Sequence, residues 1–382
     1  MRILLTGGGT GGHFFPLLAL IREIKRIADE DQIIDLEFFY MATDDYGRDL
    51  LREAEVTIIT VHGGKMRRYF SPANISDFFK TIMGIFQALW NMYLIYPDVV
   101  FSKGGHSAFP AVFAARVLRI PTIIHESDAV PGKVNRFAAG FARRIAIAFV
   151  GAQLYFPKAK TALVGIPLRK GVFGGSRSAA KETLNIFSDL PVIAYLGASQ
   201  GAQKINEVGL DILKDLTGEY EVVHQTGTTN LAGVVSEAQV VLEFAHKERY
   251  HPFGFLDEPG MRDFYNVSDL IISRAGASSI FEIALWGKPS ILIPLKDAAQ
   301  DHQRENAYEY AGTGAALVIE EQNLTPHILY SEIKKVMDNT SLREKMSAAA
   351  KKFSRPDSAE LIAREILKLG VHGESSSTDA SS

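Results

Sequence analysis

Cysteine is absent from all 382 residues, which excludes disulfides, thiolate nucleophiles and cysteine-held metal. An excess of charge is lacking too: 41 Lys and Arg against 44 Asp and Glu leave a formal charge of −3. That balance supplies no positive field for a nucleic-acid partner. Long apolar runs are also missing. The charge-free stretch Thr81 to Pro97 is shorter than the ~20 residues of a membrane span and is interrupted by Gln87 and Asn91. It reads as a buried or interfacial helix. No apolar leader follows Met1-Arg2; a short strand and a glycine turn come at once, which predicts a cytoplasmic chain. The remaining composition, 47% hydrophobic and 22% charged, suits two ordinary globular domains.

What is present is glycine in two informative places. GGGTGGH, Gly7 to His13, follows the apolar run Arg2 to Thr6, and GASQGA, Gly197 to Ala202, follows Pro191 to Leu196. Each sits between a β-rich run and a helix-compatible one. Glycines let the backbone approach an anion, and the helix start adds open N–H groups and partial positive charge, so each turn is a candidate phosphate cradle. Around them strand and helix alternate. Strands are expected at Ile3–Thr6, Leu36–Ala42, Thr57–Val61, Val99–Ser102, Thr122–His125 and Arg144–Ala148. The pattern restarts at Val192–Leu196, Tyr220–Gln225, Val240–Phe244, Leu270–Ser273, Ser290–Pro294 and Ala315–Val318. Apolar, mostly unalternating strands joined by helices predict parallel sheets covered on both faces. The fold class is therefore α/β, two doubly wound domains with a cleft between them. The boundaries expected are 1–164 and 165–350, with a helix at about 356–370 packing back on the first domain and a disordered tail at 371–382.

Ligands of open α/β sheets bind at the carboxyl ends of strands, and the polar clusters of this sequence fall there. Gly7-x-Gly9-x-x-Gly12 matches the dinucleotide pattern, but the acidic residue expected about 20 positions on is poorly placed, since Asp44 and Asp45 come too late. A pyrophosphate or sugar suits this turn better. His13 stands at the helix start, where imidazolium is disfavoured; it is either a water-facing residue or a neutral base. Gly104 and Gly105, after the strand ending at Ser102, repeat the turn with backbone donors. His125-Glu126-Ser127-Asp128 follows another strand; it lacks the helical i, i+4 His pair of a zinc site, and no metal is expected. In the second half, Ser279-x-x-Glu282 has the spacing of a capping box, while Glu282 also suits two ribose hydroxyls. Asp301-His-Gln-x-x-Asn306 offers amides for sugar hydroxyls, or a helix cap at Asp301.

In this order, GGGTGGHFFP, the GGH turn at Gly104–His106, HESDAVPGKVNR, GIPLR, LGASQGAQKIN, HQTG, SRAGASSIFEI and DHQRENA closely resemble the MurG family of UDP-N-acetylglucosamine transferases. The resemblance spans residues 1 to about 320. It implies a GT-B fold, two Rossmann-like domains facing a central cleft, with the acceptor on the first domain and UDP-GlcNAc on the second. It implies that Thr10, Gly11 and Gly12 line the cleft, that Arg169 and Ser199 approach the nucleotide, and that Leu256 meets uracil through its backbone. It further assigns Ala277, Ser278, Ser279 and Glu282 to ribose and sugar, Gln303 to GlcNAc hydroxyls, and Gly9, Gly104 and Gly105 to the acceptor pyrophosphate. Asp128 departs from the Asn common in the family, and the Pro259-Gly260 region is about two residues longer than in some members. The implied reaction is inverting transfer of GlcNAc from UDP-GlcNAc to the C4 hydroxyl of MurNAc in lipid I, giving lipid II and UDP for peptidoglycan synthesis. His13 is the base expected, with Glu126 and Asp128 as substitutes, and no cofactor or essential metal is expected. A GT-B glycolipid synthase acting on diacylglycerol, a UDP-GlcNAc 2-epimerase and a non-enzymatic sugar-nucleotide sensor are the rival readings. Phe78, Phe79, Ile82, Met83, Phe86, Leu89, Trp90 and Tyr93 exceed what one core face needs. With Lys65, Arg67, Arg68, Lys80, Arg143 and Arg144 nearby, they suit an anionic membrane surface, here its cytoplasmic inner face, as well as a core. Other cell-wall synthesis proteins are further expected partners.

Overall fold

The computed structural model describes residues 1–8, 11–64, 73–197, 202–242, 244–296 and 298–378. It divides into two compact units, Met1–Leu168 with Pro356–Ser382, and Arg169–Arg355.

The first unit holds β1 (Arg2–Thr6), β2 (Glu37–Ala42), β3 (Thr57–Thr60), β4 (Val99–Ser102), β5 (Thr122–Glu126), β6 (Arg144–Ile147) and β7 (Thr161–Leu163). They form one sheet in the order β3-β2-β1-β4-β5-β6-β7, and every pairing is parallel. Helices must cross over between parallel strands and so cover both faces, which is why β4 and β5 are buried at every residue. The helix Gly11–Glu30 lies on one face with Phe14, Leu17, Ile21 and Ile24 inward. Ile362, Ala363 and Ile366 of the C-terminal helix Ser358–Thr378 join the same core. That helix extends through Thr378, into the segment where a tail is expected.

The second unit repeats the device with β8 (Val192–Leu196), β9 (Glu221–Gln225), β10 (Tyr250–Phe253), β11 (Leu270–Ser273), β12 (Ser290–Leu292) and β13 (Ala316–Val318), again all parallel. Their order is β10-β9-β8-β11-β12-β13. The strand expected at Val240–Phe244 is not formed. Leu231–Val241 is a helix whose Val234 and Ala238, one turn apart, face the core, while Val240 is 86% exposed. The missing strand is β10, whose sequence YHPF gives little apolar signal; as an edge strand it tolerates Pro252. In each sheet the strand order reverses beside the first strand of the unit, β1 next to β4 and β8 next to β11, which opens a crevice at the carboxyl ends there.

Candidate active site

In the first unit that crevice is built from glycines pressed on buried polar side chains. Gly7 has φ +144°, and a Cβ there would stand 2.7 Å from the Cβ of Lys103, so the turn after β1 closes only without a side chain. The Tyr40 hydroxyl donates to the Gly7 carbonyl and pins the turn from β2. Gly104 and Gly105 have φ of +75° and +81°; a Cβ on Gly104 would meet the Asn135 amide, and one on Gly105 would stand 3.5 Å from the His13 ring. His13, in the first turn of helix Gly11–Glu30, is thus brought against the second glycine turn. Gly11 and Gly12 open that helix; Gly9 and Thr10 lie outside the described residues.

Beneath these turns lies a charged cluster. Lys103 follows β4 and is 1% exposed. Its ammonium donates to His125 Nδ1 at 2.8 Å and to the Ser127 hydroxyl. His125 Nε2–H donates to the Gly165 carbonyl at 2.7 Å, so Nδ1 is the acceptor face and the ring is neutral. Burial, reinforced by Lys103, holds His125 well below the usual imidazole range. Burial likewise pushes Lys103 down to about 8, against the pull of Glu126 and Asp128. Glu126 is pushed up to about 7, first by burial and then by Asp128. Both Glu126 oxygens are engaged: Oε1 accepts the Asp128 N–H at 3.1 Å, and Oε2 accepts the Gly132 N–H at 3.0 Å and the Asn135 amide at 2.9 Å. Glu126 therefore closes the 126–132 turn, whereas Asp128 is only partly buried at its edge.

The second unit presents a different arrangement. Helix Ala277–Trp286 starts directly after β11, with Gly276 at its cap and no side-chain capping bond. Ser279 thus lies inside the first turn and the capping box with Glu282 does not form. Glu282 Oε2 instead accepts the Tyr265 hydroxyl at 2.8 Å, and Oε1 faces Arg169 Nη2 at 3.7 Å. Arg169 also faces Glu258 at 3.8 Å. Burial pushes the Glu282 carboxyl up, and Arg169 and Tyr265 pull it back. Ala277, Ser278 and Ser279 open this helix one turn before the carboxylate, where first-turn N–H groups have no acceptor within the helix and are suited to phosphate or hydroxyl oxygens. Leu256 packs its side chain with Val172, Met261 and Phe264, which leaves only its backbone for a ligand. Gln303 Oε1 accepts the Leu295 N–H at 3.1 Å, tying helix His302–Ala311 to the end of β12. Asp301 precedes this helix but makes no capping bond. Gly197 needs its glycine because a Cβ would stand 2.4 Å from the Gln225 carbonyl. Ser199 lies outside the described residues. His224 of the HQTG motif is a core residue, bonded to Tyr250 and Asn206, and burial lowers its pKa to about 3.

Three groups here were not legible as site residues: Lys103, Tyr265 and Glu258. Lys103 stands in an SKGGHS turn, where a lysine at a strand end normally reads as solvated. Among the described residues no group of His, Asp and Glu is arranged to hold a metal.

The N-terminal domain of glycosyltransferase family 28 matches residues 3–147, and its C-terminal domain matches residues 192–362. A UDP-N-acetylglucosamine--N-acetylmuramyl-(pentapeptide) pyrophosphoryl-undecaprenol N-acetylglucosamine transferase of Clostridium kluyveri is 34% identical over 91% of this chain and 95% of its own. The protein of that name in Legionella pneumophila (strain Paris) is 34% identical over 95% of this chain and 96% of its own. The chain belongs to the MurG family. The solved MurG of Acinetobacter baumannii has a TM-score of 0.76, 27% identity, and covers 96% of this chain and 99% of its own. A UDP-GlcNAc 2-epimerase of Neisseria meningitidis reaches a TM-score of 0.67 at 14% identity over 96% of this chain and 100% of its own, a likeness of fold alone.

Proposed function

We propose that this chain transfers N-acetylglucosamine from UDP-GlcNAc to the C4 hydroxyl of MurNAc in undecaprenyl-pyrophosphoryl-MurNAc-pentapeptide. The observation that carries this reading is the 34% identity to a transferase of that name over 91% of the chain, because it spans both units. The bond formed joins O4 of MurNAc to C1 of GlcNAc, the bond broken joins C1 to the β-phosphate oxygen, and UDP leaves. Attack from the opposite face inverts C1. The hydroxyl proton passes to a base, for which His13 is our choice, since it lies against the Gly105 turn; Asp128 at the rim of the neighbouring turn is the alternative. Glu126 is less suited, with three N–H donors already on its carboxylate. Gly105 would offer a backbone N–H group to the acceptor pyrophosphate, whereas the Gly104 N–H, also expected there, already donates to the Ser102 hydroxyl at 3.1 Å. Glu282 would accept ribose hydroxyls, Arg169 would approach the diphosphate, and the helix start at Ala277 would stabilise its developing charge. This charge stabilisation calls for no divalent ion.

Peripheral attachment to the inner face of an anionic membrane completes the proposal. No described helix is long and apolar enough to cross a membrane. On helix Ala73–Ile95, Ala88 and Met92 face the core, while Phe78, Phe79, Met83, Phe86, Trp90 and Tyr93 are all exposed. An apolar stripe of that size favours a lipid surface, with Arg143 supplying charge while Lys80 faces Asp77 at 3.9 Å. Arg144 is engaged by Glu365, and Lys65, Arg67 and Arg68 lie outside the described residues. Incubation with UDP-GlcNAc and lipid I, followed by mass identification of lipid II and UDP, tests the transfer. Epimerised UDP-sugar, or a glycosylated diacylglycerol, would replace this reading with one of its rivals.

A further inference from the structure

The second unit has a cavity of about 520 Å³ that the proposed transfer does not use. Asp269 and Lys288, which line it, come just before β11 and β12, so it lies at the amino ends of strands whose carboxyl ends carry the proposed nucleotide site. Trp286 adds the end of helix Ala277–Trp286, and helix Thr340–Phe353 adds Arg343, Glu344 and Lys351. Glu344 and Lys351, seven residues apart, share one face of that helix.

The charges around the cavity are unbalanced. Asp269 is already engaged: Arg177 donates to its two oxygens at 3.1 and 2.6 Å, and the Val192 N–H donates at 2.8 Å. Lys288 makes one bond, to the Ser268 carbonyl at 2.7 Å. Burial, then Arg177 and Lys351, pushes the Lys288 ammonium down to about 8 against the pull of Asp269. Gly287 has φ +61°, and a Cβ there would stand 2.6 Å from Cγ and Cε of Lys351, so the glycine lets the lysine stem cross it. The Lys351 ammonium has no acceptor among the described residues. Arg343 is anchored on the Met337 carbonyl and, at 3.3 Å, the Thr340 hydroxyl. Lys288, Arg343 and Lys351 thus stand against one unengaged carboxylate, Glu344, which is exposed. A concave site lined by one sign of charge concentrates the opposite sign, and phosphoryl oxygens make strong charge-assisted bonds to such donors. The wall beside them is aromatic and fixed. Trp286 Nε1–H donates to the Val172 carbonyl at 3.1 Å, and its ring stacks on Tyr265 at 6.1 Å and 19°. A fixed indole favours a ring or apolar group in the ligand, and the volume is that of a small-molecule site.

We propose that this cavity is a second binding site, for a small organic phosphate whose phosphoryl group is met by Lys288 and Lys351 and whose ring or apolar part lies against Trp286. Trp90 and Trp286 are the two tryptophans of the chain, so Trp90→Phe leaves Trp286 as its own reporter. The full chain with that substitution is titrated with phenyl phosphate, with and without saturating UDP. Trp286 fluorescence should change saturably, and equally in both cases. Lys288→Met and Lys351→Met should each weaken binding at least about fivefold, and Glu344→Gln should tighten it about twofold by removing a like charge. Inorganic phosphate should bind more weakly than phenyl phosphate, and phenol should not bind. No saturable change, binding unaltered in both lysine variants, or loss of the signal when UDP is present would overturn the proposal. If Lys288→Met does not fold, Lys351→Met and Glu344→Gln decide: opposite responses support the site and like responses overturn it. A chain that binds no UDP would overturn the nucleotide role proposed for the other site, with the same variants still deciding this one.

Discussion

The two units share one topology and use it for different chemistry. At the switch point of the first, ionisable groups are packed together out of water: Lys103, His125 and Glu126 are each shifted toward their neutral forms by burial. At that of the second, the buried carboxylate Glu282 stands behind a helix start and is held by Arg169 and Tyr265, with Glu258 on the other side of Arg169. The first arrangement governs where protons reside, because in low dielectric a neighbour's charge changes a pKa strongly. The second suits the nucleotide-holding role proposed for it, because helix N–H groups and a fixed acceptor can take phosphate and hydroxyls with no change of protonation. On the proposed reading, one fold would supply a proton-handling site and a binding site merely by changing the residues at its strand ends.

The sharpest way to break this division is His13→Ala. Loss of a general base costs about 10²–10⁴-fold, so kcat should fall in that range while UDP-GlcNAc affinity, which the proposal places on the other unit, stays put. Stopped-flow turnover with separate titration of UDP-GlcNAc checks it. A variant within a few-fold of the parent moves the base to Asp128, and Asp128→Asn then decides.

A smaller effect, again confined to the first unit, is expected for Phe79→Ser with Trp90→Ser. Each aromatic that would enter the lipid gives up roughly 1.5–3 kcal/mol when replaced by Ser, so partitioning onto anionic vesicles should weaken at least tenfold in a sedimentation assay. Transfer to a short-chain soluble acceptor should persist. Aggregation of the variant would mean that the exposed stripe is covered by protein instead.

Glu282→Gln sharpens the comparison from the other side. Hydrogen bonds to a charged acceptor contribute about 1.5–3 kcal/mol, so UDP affinity measured by calorimetry should drop about tenfold, with the acidic limb of kcat unchanged. If the limb moves and the affinity does not, Glu282 belongs to proton handling and the division fails.

The last effect leaves transfer untouched and concerns stability alone. Burial lowers the pKa of His224 to about 3, from the ordinary imidazole value of 6.5. The unfolded chain then binds a proton that the folded one refuses, so stability present above about 6.5 is lost as pH falls toward 3. The slope is about 1.4 kcal/mol per pH unit, and His224→Gln should remove it from urea-unfolding curves without altering transfer at neutral pH. An unchanged slope would assign the acid sensitivity to other groups.

Much of this molecule was legible before folding was considered. Strand-glycine-helix order at Gly7 and Gly197, with β-branched runs between, predicts wound parallel sheets, because local preference and burial on both faces agree. His13, Glu126 and Glu282 were legible as candidates since each follows such a strand. The strand at Val240–Phe244 was misread because a Val-rich run is ambiguous at short length, and the edge strand that replaces it carries a proline.

The order of residues along the chain was enough to set the two units and the strand ends at which chemistry is placed, for these depend on near neighbours. Only the closed fold settles the work of each polar group there. Lys103 becomes an internal cation because β5 delivers His125 and the turn after it delivers Ser127 and Asp128 around it. Glu282 gives up the capping box because the helix is capped at Gly276, three residues before Ser279, and Tyr265 and Arg169, distant in the chain, take its oxygens instead. Burial and charge are properties of surroundings, and surroundings exist only once the sheets have closed.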